Sequence, residues 1–218
     1  MSGRLTDTQL ISARMRMVDE QIARRGIYDQ AVLAAMRTVP RHEFVRPEDL
    51  AQAYGDHPLS IGHDQTISQP YVVASMTQEL GANKNSRILE IGTGCGYQTA
   101  ILAEVAGLVY TIECIPELFR AAMSRLVKLG YNNVTGTVGD GSRGWSEHAP
   151  FDGILVAAAA AEVPDALVDQ LAEPGRLIIP VGRHLLDQQL VLVKKSEGQV
   201  SQTALYGVRF VPLRTSES

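Results

Sequence analysis

The chain has 218 residues, 45% of them hydrophobic and 20% charged, with a formal net charge of −4. That length and apolar content suit one sizeable core with a small appendage rather than two domains. The N-terminus lacks a charged-then-apolar signal pattern, and no apolar run approaches the ~20 residues of a membrane helix, so a cytoplasmic protein without a membrane partner is expected. Lysines and arginines are scattered rather than striped, which argues against nucleic acid as a partner.

In chain order, Asp7 to Arg25 carries Leu10, Ile11, Met15, Val18 and Ile22 at three-to-four spacing and reads as an amphipathic helix. A second helix is predicted from an Asp29 cap through Val32, Leu33 and Met36 to the stop at Val39-Pro40. With the mixed polar stretch Arg41 to Tyr54, these form a helical appendage over residues 1–55. Such a piece either covers a ligand and shapes a cleft or simply caps one side of a sheet. Residues 56–70 follow as a loop too long and irregular for a plain connector, and Pro70 opens a helix ending at Gly81. Thr66, Ser68 and Gln69 in this loop suit either a functional role or capping of that helix.

From Arg87 onward the pattern is regular. Apolar runs at Ile88–Ile91, Val109–Ile112, Val134–Val138, Ile154–Ala157 and Leu177–Val181 alternate with helical stretches, which predicts a parallel sheet with crossover helices. Pro116 and Gly130 bound one helix, and Pro164 with Pro174-Gly175 punctuates the fifth unit. Gln189–Lys195 and Thr203–Phe210, joined by Ser196 to Gln199, read as an antiparallel hairpin at the sheet edge. The predicted class is α/β: a Rossmann-like, doubly wound, mostly parallel sheet over residues 71–218, with an antiparallel C-terminal hairpin and the N-terminal appendage, all in one domain.

The chemistry concentrates at Glu90-Ile91-Gly92-Thr93-Gly94-Cys95-Gly96-Tyr97. Spaced glycines between a strand and a helix let the backbone take positive φ and present bare N–H groups to a ligand at the helix start. Tyr97 occupies the place where the dinucleotide fingerprint needs Gly or Ala, which counts against NAD. The acidic-x-Gly-x-Gly-x-Gly pattern instead resembles the first motif of class I methyltransferases, which bind S-adenosylmethionine, with Glu90 placed to face the cofactor's ammonium. Glu113, at the end of the next strand, is positioned to accept ribose hydroxyls. Asp140, after the third strand, suits either an adenine contact or a turn. Asp152 lies at the wrong end of its strand for a ligand and reads as structural.

Other chemistries lack their signatures. The five histidines, His42, His57, His63, His148 and His184, show no metal-ligand spacing, so no metal is expected. Cys95 and Cys114 read as free thiols near the glycine loop. There is no nucleophile elbow around Ser142, no phosphate loop, and no Asn-Pro-Pro-Tyr of the kind that holds a base amine.

Gln65-Thr66-Ile67-Ser68-Gln69-Pro70-Tyr71, followed by the glycine motif, Phe151-Asp152-Gly153-Ile154, Gly175-Arg176-Leu177 and Val208-Arg209-Phe210-Val211-Pro212-Leu213, resembles the protein-L-isoaspartate O-methyltransferases from about Gly26 to Leu213. The resemblance implies transfer of a methyl group from S-adenosylmethionine to the free α-carboxylate of isoaspartyl residues in damaged proteins and peptides. The ester then closes to a succinimide that reopens partly as aspartate. It implies Ser68 as the active-site residue and Thr66, Ile67, Ser68 and Gln69 as the substrate pocket, with Val208 and Arg209 as the facing wall. Glu90, Gly92, Thr93, Gly94, Gly96, Glu113, Asp140 and Gly141 are implied as cofactor-binding positions. Two departures stand out: Asp64 where Gly is usual, which sets a negative charge near an anionic substrate, and Ala158 to Ala161 where proline is common, which predicts a looser rim. The competing classes are another carboxyl or small-molecule methyltransferase and a cofactor-binding protein without turnover. A monomer is favoured.

Overall fold

The computed structural model describes residues 6–184 and 187–214. Its strands are β1 Leu59–Gly62, β2 Gln65–Ile67, β3 Arg87–Ile91, β4 Leu108–Glu113, β5 Val134–Val138, β6 Phe151–Val156, β7 Leu171–Val181, β8 Gln189–Ser196 and β9 Gln199–Gly207. The α-helices are α1 Asp7–Arg16, α2 Gln30–Thr38, α3 Pro70–Leu80, α4 Tyr97–Val105, α5 Pro116–Lys128 and α6 Asp165–Asp169. Seven strands form one sheet in the order β5-β4-β3-β6-β7-β8-β9. β5, β4, β3, β6 and β7 run parallel, and β8 and β9 are antiparallel additions at one edge. The central strand β3 pairs with β4 on one side and β6 on the other, so the chain winds outward first one way and then the other. Its carboxyl end is the switch point at which such sheets bind ligands.

The apolar runs at Ile88–Ile91 and Ile154–Val156 are almost wholly buried, as expected of strands covered on both faces. One hydrophobic cluster runs from Leu10, Val18, Ile22 and Met36 of the N-terminal helices to Tyr97, Ala100 and Ile101 of α4 and Leu126 of α5. The appendage therefore packs largely on helices that themselves cover the sheet.

Several elements differ from expectation. The first helix is α-helical only to Arg16; Met17–Ile22 winds as a π-helix and Ala23–Arg25 as a 3₁₀ turn. Met17, seven residues after Leu10 and on the same face, is fully buried, while Ile11 is left 49% exposed. No α-helix joins β5 to β6, only short turns at Gly141–Arg143 and Ser146–His148. Pro174-Gly175 lies inside β7 and not beyond it; the pairing with β6 jumps there from Phe151–Leu171 to Gly153–Arg176, the kind of irregularity that accommodates both residue types. The terminal hairpin turns on Glu197 and Gly198 alone, whose φ values of 53° and 71° match the sense of strand twist. β9 consequently starts at Gln199, and Val208 to Phe210 lies beyond the sheet.

Asp29 caps α2, its Oδ1 accepting from the N–H groups of Ala31 at 2.8 Å and Val32 at 3.1 Å. Asp29→Ala is expected to lower stability by about 1 kcal/mol, read as a fall in melting temperature of roughly 2–4 °C. An unchanged melting curve contradicts that role.

Candidate active site

The loop after β3 takes the backbone shape its glycines permit. Gly92, Gly94 and Gly96 have φ of 94°, 54° and 90°, all in the left-handed region that other residues avoid. Neighbours leave ordinary room at all three: an added Cβ would meet nothing closer than Ala157 at 3.5 Å, Ile61 at 3.4 Å, and Ala122 and Leu126 at 3.4 Å. Conformation, not space, therefore demands glycine. Gly141 is the reverse case, since a Cβ there would lie 2.2 Å from the Ile91 side chain.

This loop forms one side of a cavity of about 860 Å³ at the carboxyl edge of the sheet. Gly92, Thr93, Gly94, Glu113 and Gly141 line it, as do Thr66, Ile67, Ser68, Gln69, Val208 and Arg209 on the opposite side. The structure thus brings together most of the residues singled out from the sequence. Cys95 and Cys114 also line it as free thiols, the first buried and the second exposed.

Glu113 is 5% exposed. Its Oε2 accepts from the Gly94 N–H at 2.7 Å and its Oε1 from the Ile115 N–H at 3.0 Å. Cys114 Sγ also donates to Oε1, at 3.5 Å, so of the carboxylate's roughly four lone-pair sites about one remains for a ligand hydroxyl.

Neither Glu90 nor Asp140 lines the cavity, and Asp140 takes the turn role, one of the two that its position suits. Glu90 is fully buried, with Oε2 accepting from Thr99 Oγ1 at 2.6 Å and Thr111 Oγ1 at 2.7 Å. Because the Thr111 hydrogen is committed to Glu90, Thr93 Oγ1 donates to Thr111 Oγ1, at 2.7 Å. Glu90 therefore anchors the loop residue Thr93 from beneath and is not placed to face a ligand's ammonium. Asp140 shapes a turn: its Oδ1 accepts from the Ser142 N–H at 3.0 Å and the Ser142 hydroxyl at 2.7 Å. Gly96 also stays off the cavity surface, with its open side toward Leu126. Asp152 is structural as read, accepting from the Arg87 N–H at 2.7 Å.

Residues 59–67 form the antiparallel hairpin β1–β2, which makes residues 56–69 a strap across the glycine loop, with Ile61 over Gly94. Gln69 makes no side-chain cap on α3, and among the described residues the hydroxyls of Thr66 and Ser68 have no hydrogen-bond partner. The capping alternative is therefore not realised. Ile67, 3% exposed, pins the strap into the core. Asp64 sits at the hairpin tip with φ of 58° and does not line the cavity, so its charge is not set against a ligand there. The Ala158–Ala161 rim is not loose: the Ala159 N–H donates to the Val211 carbonyl at 2.8 Å and the Ala160 N–H to the Pro180 carbonyl at 3.1 Å.

Other cavity residues carried no local signal. Arg25, Tyr71 and Tyr206 line it from three distant parts of the chain. Its charged lining consists of Arg25, Glu113, Arg209 and Arg214, an excess of cation that suits an anionic substrate.

A family model described as protein-L-isoaspartate(D-aspartate) O-methyltransferase matches residues 12–218. The chain belongs to that family. Protein-L-isoaspartate O-methyltransferase of Gloeobacter violaceus is 51% identical over 197 residues, 90% of this chain and 96% of that one. Protein-L-isoaspartate O-methyltransferase 1 of Syntrophobacter fumaroxidans is 54% identical over 201 residues, 92% of this chain and 94% of that one. A solved protein-L-isoaspartate O-methyltransferase superposes with a TM-score of 0.81 at 30% identity, covering 91% of this chain and 65% of that longer one. A Plasmodium falciparum protein-L-isoaspartate O-methyltransferase, solved in complex with S-adenosyl-L-homocysteine, gives 0.79 at 28% identity, with 92% and 98% covered. This O-methyltransferase uses S-adenosylmethionine; the N–H groups of Gly92, Gly94 and Gly96 are taken by the Ile112 carbonyl at 2.8 Å, Glu113 Oε2 at 2.7 Å and the Thr93 carbonyl at 2.8 Å, so the loop is held in shape from within.

Burial pushes the Glu90 carboxyl up to about 8, against hydrogen bonds from Thr99 and Thr111 that favour ionisation and the Glu113 charge that opposes it. Among the described residues its Oε1 is buried without a partner, so a charge there has nothing to compensate it and the neutral acid is favoured. The raised folded value means that this group's contribution is complete below the unfolded value of 4.5 and is lost as pH rises toward 8. Glu90→Gln should therefore gain on the parent by about 1.4 kcal/mol per pH unit across that window, read from urea unfolding at several pH values. A pH-independent difference contradicts the buried, protonated acid.

Proposed function

We propose that the cavity holds S-adenosylmethionine against Gly92, Thr93, Gly94, Glu113 and Gly141, and the isoaspartyl peptide between residues 66–69 and Val208-Arg209. The observation that carries this reading is the Ser68 hydroxyl, which lines the same cavity as the glycine loop and is not committed to any other group among the described residues. Ser68 donates a hydrogen bond to the substrate's α-carboxylate and turns one oxygen toward the cofactor side.

The bound cofactor supplies an electrophilic methyl group on a sulfonium. A carboxylate, with an ordinary pKa of about 4, is ionised at neutral pH, so no residue has to remove a proton. The protein's part is to position the carboxylate and exclude water, and orientation of this kind is worth up to roughly 7–11 kcal/mol. Ile67 and Phe210, both buried, give the cavity apolar lining, while Thr66 and Gln69 offer polar groups to the flanking peptide.

The same reading makes residues 1–218 one working unit, since the appendage shares a hydrophobic cluster with α4 and α5. We infer a monomer, because one chain supplies every wall of the cavity, and a cytoplasmic enzyme acting on proteins and peptides, because the net charge of −4 offers no field for nucleic acid. No helix among the described residues is long and apolar enough to cross a membrane.

An isoaspartyl linkage leaves the α-carboxylate on a short branch, whereas a normal aspartate presents its carboxylate one methylene further from the main chain. A misplacement of about 1 Å can cost on the order of a hundredfold. Labelled methyl transfer should be strong to an isoaspartyl hexapeptide and nearly absent with the aspartyl version. Ser68→Ala should lower kcat for the former while S-adenosyl-L-homocysteine affinity is retained. Equal labelling of both peptides, or labelling only of a small metabolite or RNA, overturns the reading.

A further inference from the structure

Asp56 opens the strap and Gln69 closes it. Gln69 Nε2 donates to Asp56 Oδ1 at 2.8 Å and to the Asp56 carbonyl at 3.2 Å, so the two ends of the strap are joined beside Ser68. The other carboxylate oxygen, Oδ2, accepts from Arg25 Nη1 at 2.9 Å. Arg25 is the last residue of the 3₁₀ turn that ends the first helix, and it also lines the cavity. One carboxylate therefore closes the strap and fastens it to the appendage.

The arginine has a second engagement. Its guanidinium carbon lies 3.8 Å from the centroid of the Tyr71 ring, in the first turn of α3, at cation–π distance. The Tyr71 ring is in turn 6.4 Å from that of Tyr206, and the Tyr206 hydroxyl donates to Ser75 Oγ at 2.7 Å. Tyr206 stands near the end of β9, directly before the wall formed by Val208 and Arg209. Arg25 thus sits at the junction of a series that runs from the appendage to the Ser68 side and on to the facing wall.

We propose that Arg25, Asp56 and Gln69 form a clasp that sets the position of Ser68, with Arg25 a positioning residue for methyl transfer. The inference rests on the assignment of Ser68 as the group that aligns the carboxylate. The clasp is built to yield. The side chains of Arg25 and Asp56 are 42% and 38% exposed, so their ion pair is weak and screened by salt. The ion pair can part and re-form while Ile67 keeps the strap in the core, so the clasp adjusts Ser68 without releasing it.

The test is steady-state kinetics on an isoaspartyl peptide with the parent, Arg25→Ala, Arg25→Lys, Asp56→Asn and the Arg25→Ala/Asp56→Asn double variant, alongside melting curves and calorimetric binding of S-adenosyl-L-homocysteine. Arg25→Ala is expected to lower kcat by about three- to tenfold with peptide KM little changed, because orientation rather than binding is lost. Arg25→Lys, which keeps the charge, should recover part of the loss, and product-analogue affinity and melting temperature should match the parent. Asp56→Asn should be impaired like Arg25→Ala, and the double variant should be no worse than either single one. Raising the salt should lower kcat in the parent and leave Arg25→Ala unaffected. If Arg25→Ala alone is impaired, with a raised KM, while Asp56→Asn is normal or improved, Arg25 contacts the peptide directly and the clasp is rejected. If Ser68→Ala is impaired while all clasp variants behave as the parent, the clasp fails and the Ser68 assignment stands; a Ser68→Ala enzyme with full kcat removes that assignment instead.

Discussion

The Glu113 carboxylate is the point on which the site depends. It takes the Gly94 N–H on one oxygen and the Ile115 N–H on the other, tying the loop after β3 to the start of α5. An anion held by two backbone donors is a strong acceptor in a fixed place, and hydrogen bonds to a charged group contribute about 1.5–3 kcal/mol each. The glycines make this contact reachable, because only a left-handed Gly94 turns its N–H toward β4. Without it the Gly94 N–H would lose its partner, and the cavity the one carboxylate that lines it among the described residues.

Below and behind, other groups hold the same loop. Glu90 reaches it through Thr111 and Thr93. Arg125, from α5, donates to the Cys95 carbonyl at 2.7 Å. The fully buried Arg41 lies with its guanidinium 4.9 Å from the Tyr97 ring centroid and donates through Nε to the Ala53 carbonyl at 2.9 Å, linking the appendage to the first residue of α4. Desolvation weakens the proton affinity of that guanidinium, and the π-face of Tyr97 is the group it meets in place of a carboxylate. The glycine-loop side of the cavity is thus held by deeply buried groups, while the strap is held by Ile67 in the core and by half-exposed polar contacts at its ends.

Much of this was legible in the sequence because it is local. Apolar runs, spaced glycines and prolines specified β3 to β7, the loop conformation and the start of α3, each within a window of a few residues. The Ser68 stretch and the wall at Val208-Arg209 came from family resemblance, and the fold brings them to one cavity. What was not legible depends on contacts across the chain. The pattern gave an acid before the glycines but not the two threonines, from α4 and β4, that turn Glu90 into a buried anchor. It gave no role to Arg25 or Arg41, since Tyr71, Asp56 and Tyr97 lie far away in sequence. Periodicity placed Leu10, Val18 and Ile22 in the core but carries no sign of the π-turn at Met17–Ile22. The turn at Ser196 to Gln199 was legible, but β9 starts at Gln199 rather than Thr203 because its exposed first residues pair with β8 through the backbone ladder and carry no apolar pattern.

The central claim is that one carboxylate both shapes the glycine loop and receives the cofactor's ribose. Calorimetric titration of S-adenosyl-L-homocysteine into the parent, Glu113→Gln and Glu113→Ala measures it most directly. The account predicts intact folding, an affinity loss of at least about tenfold for Glu113→Ala from hydrogen bonds of roughly 1.5–3 kcal/mol each, and a smaller loss for Glu113→Gln, which keeps one acceptor. Parent-like affinity in a folded Glu113→Ala protein would contradict it.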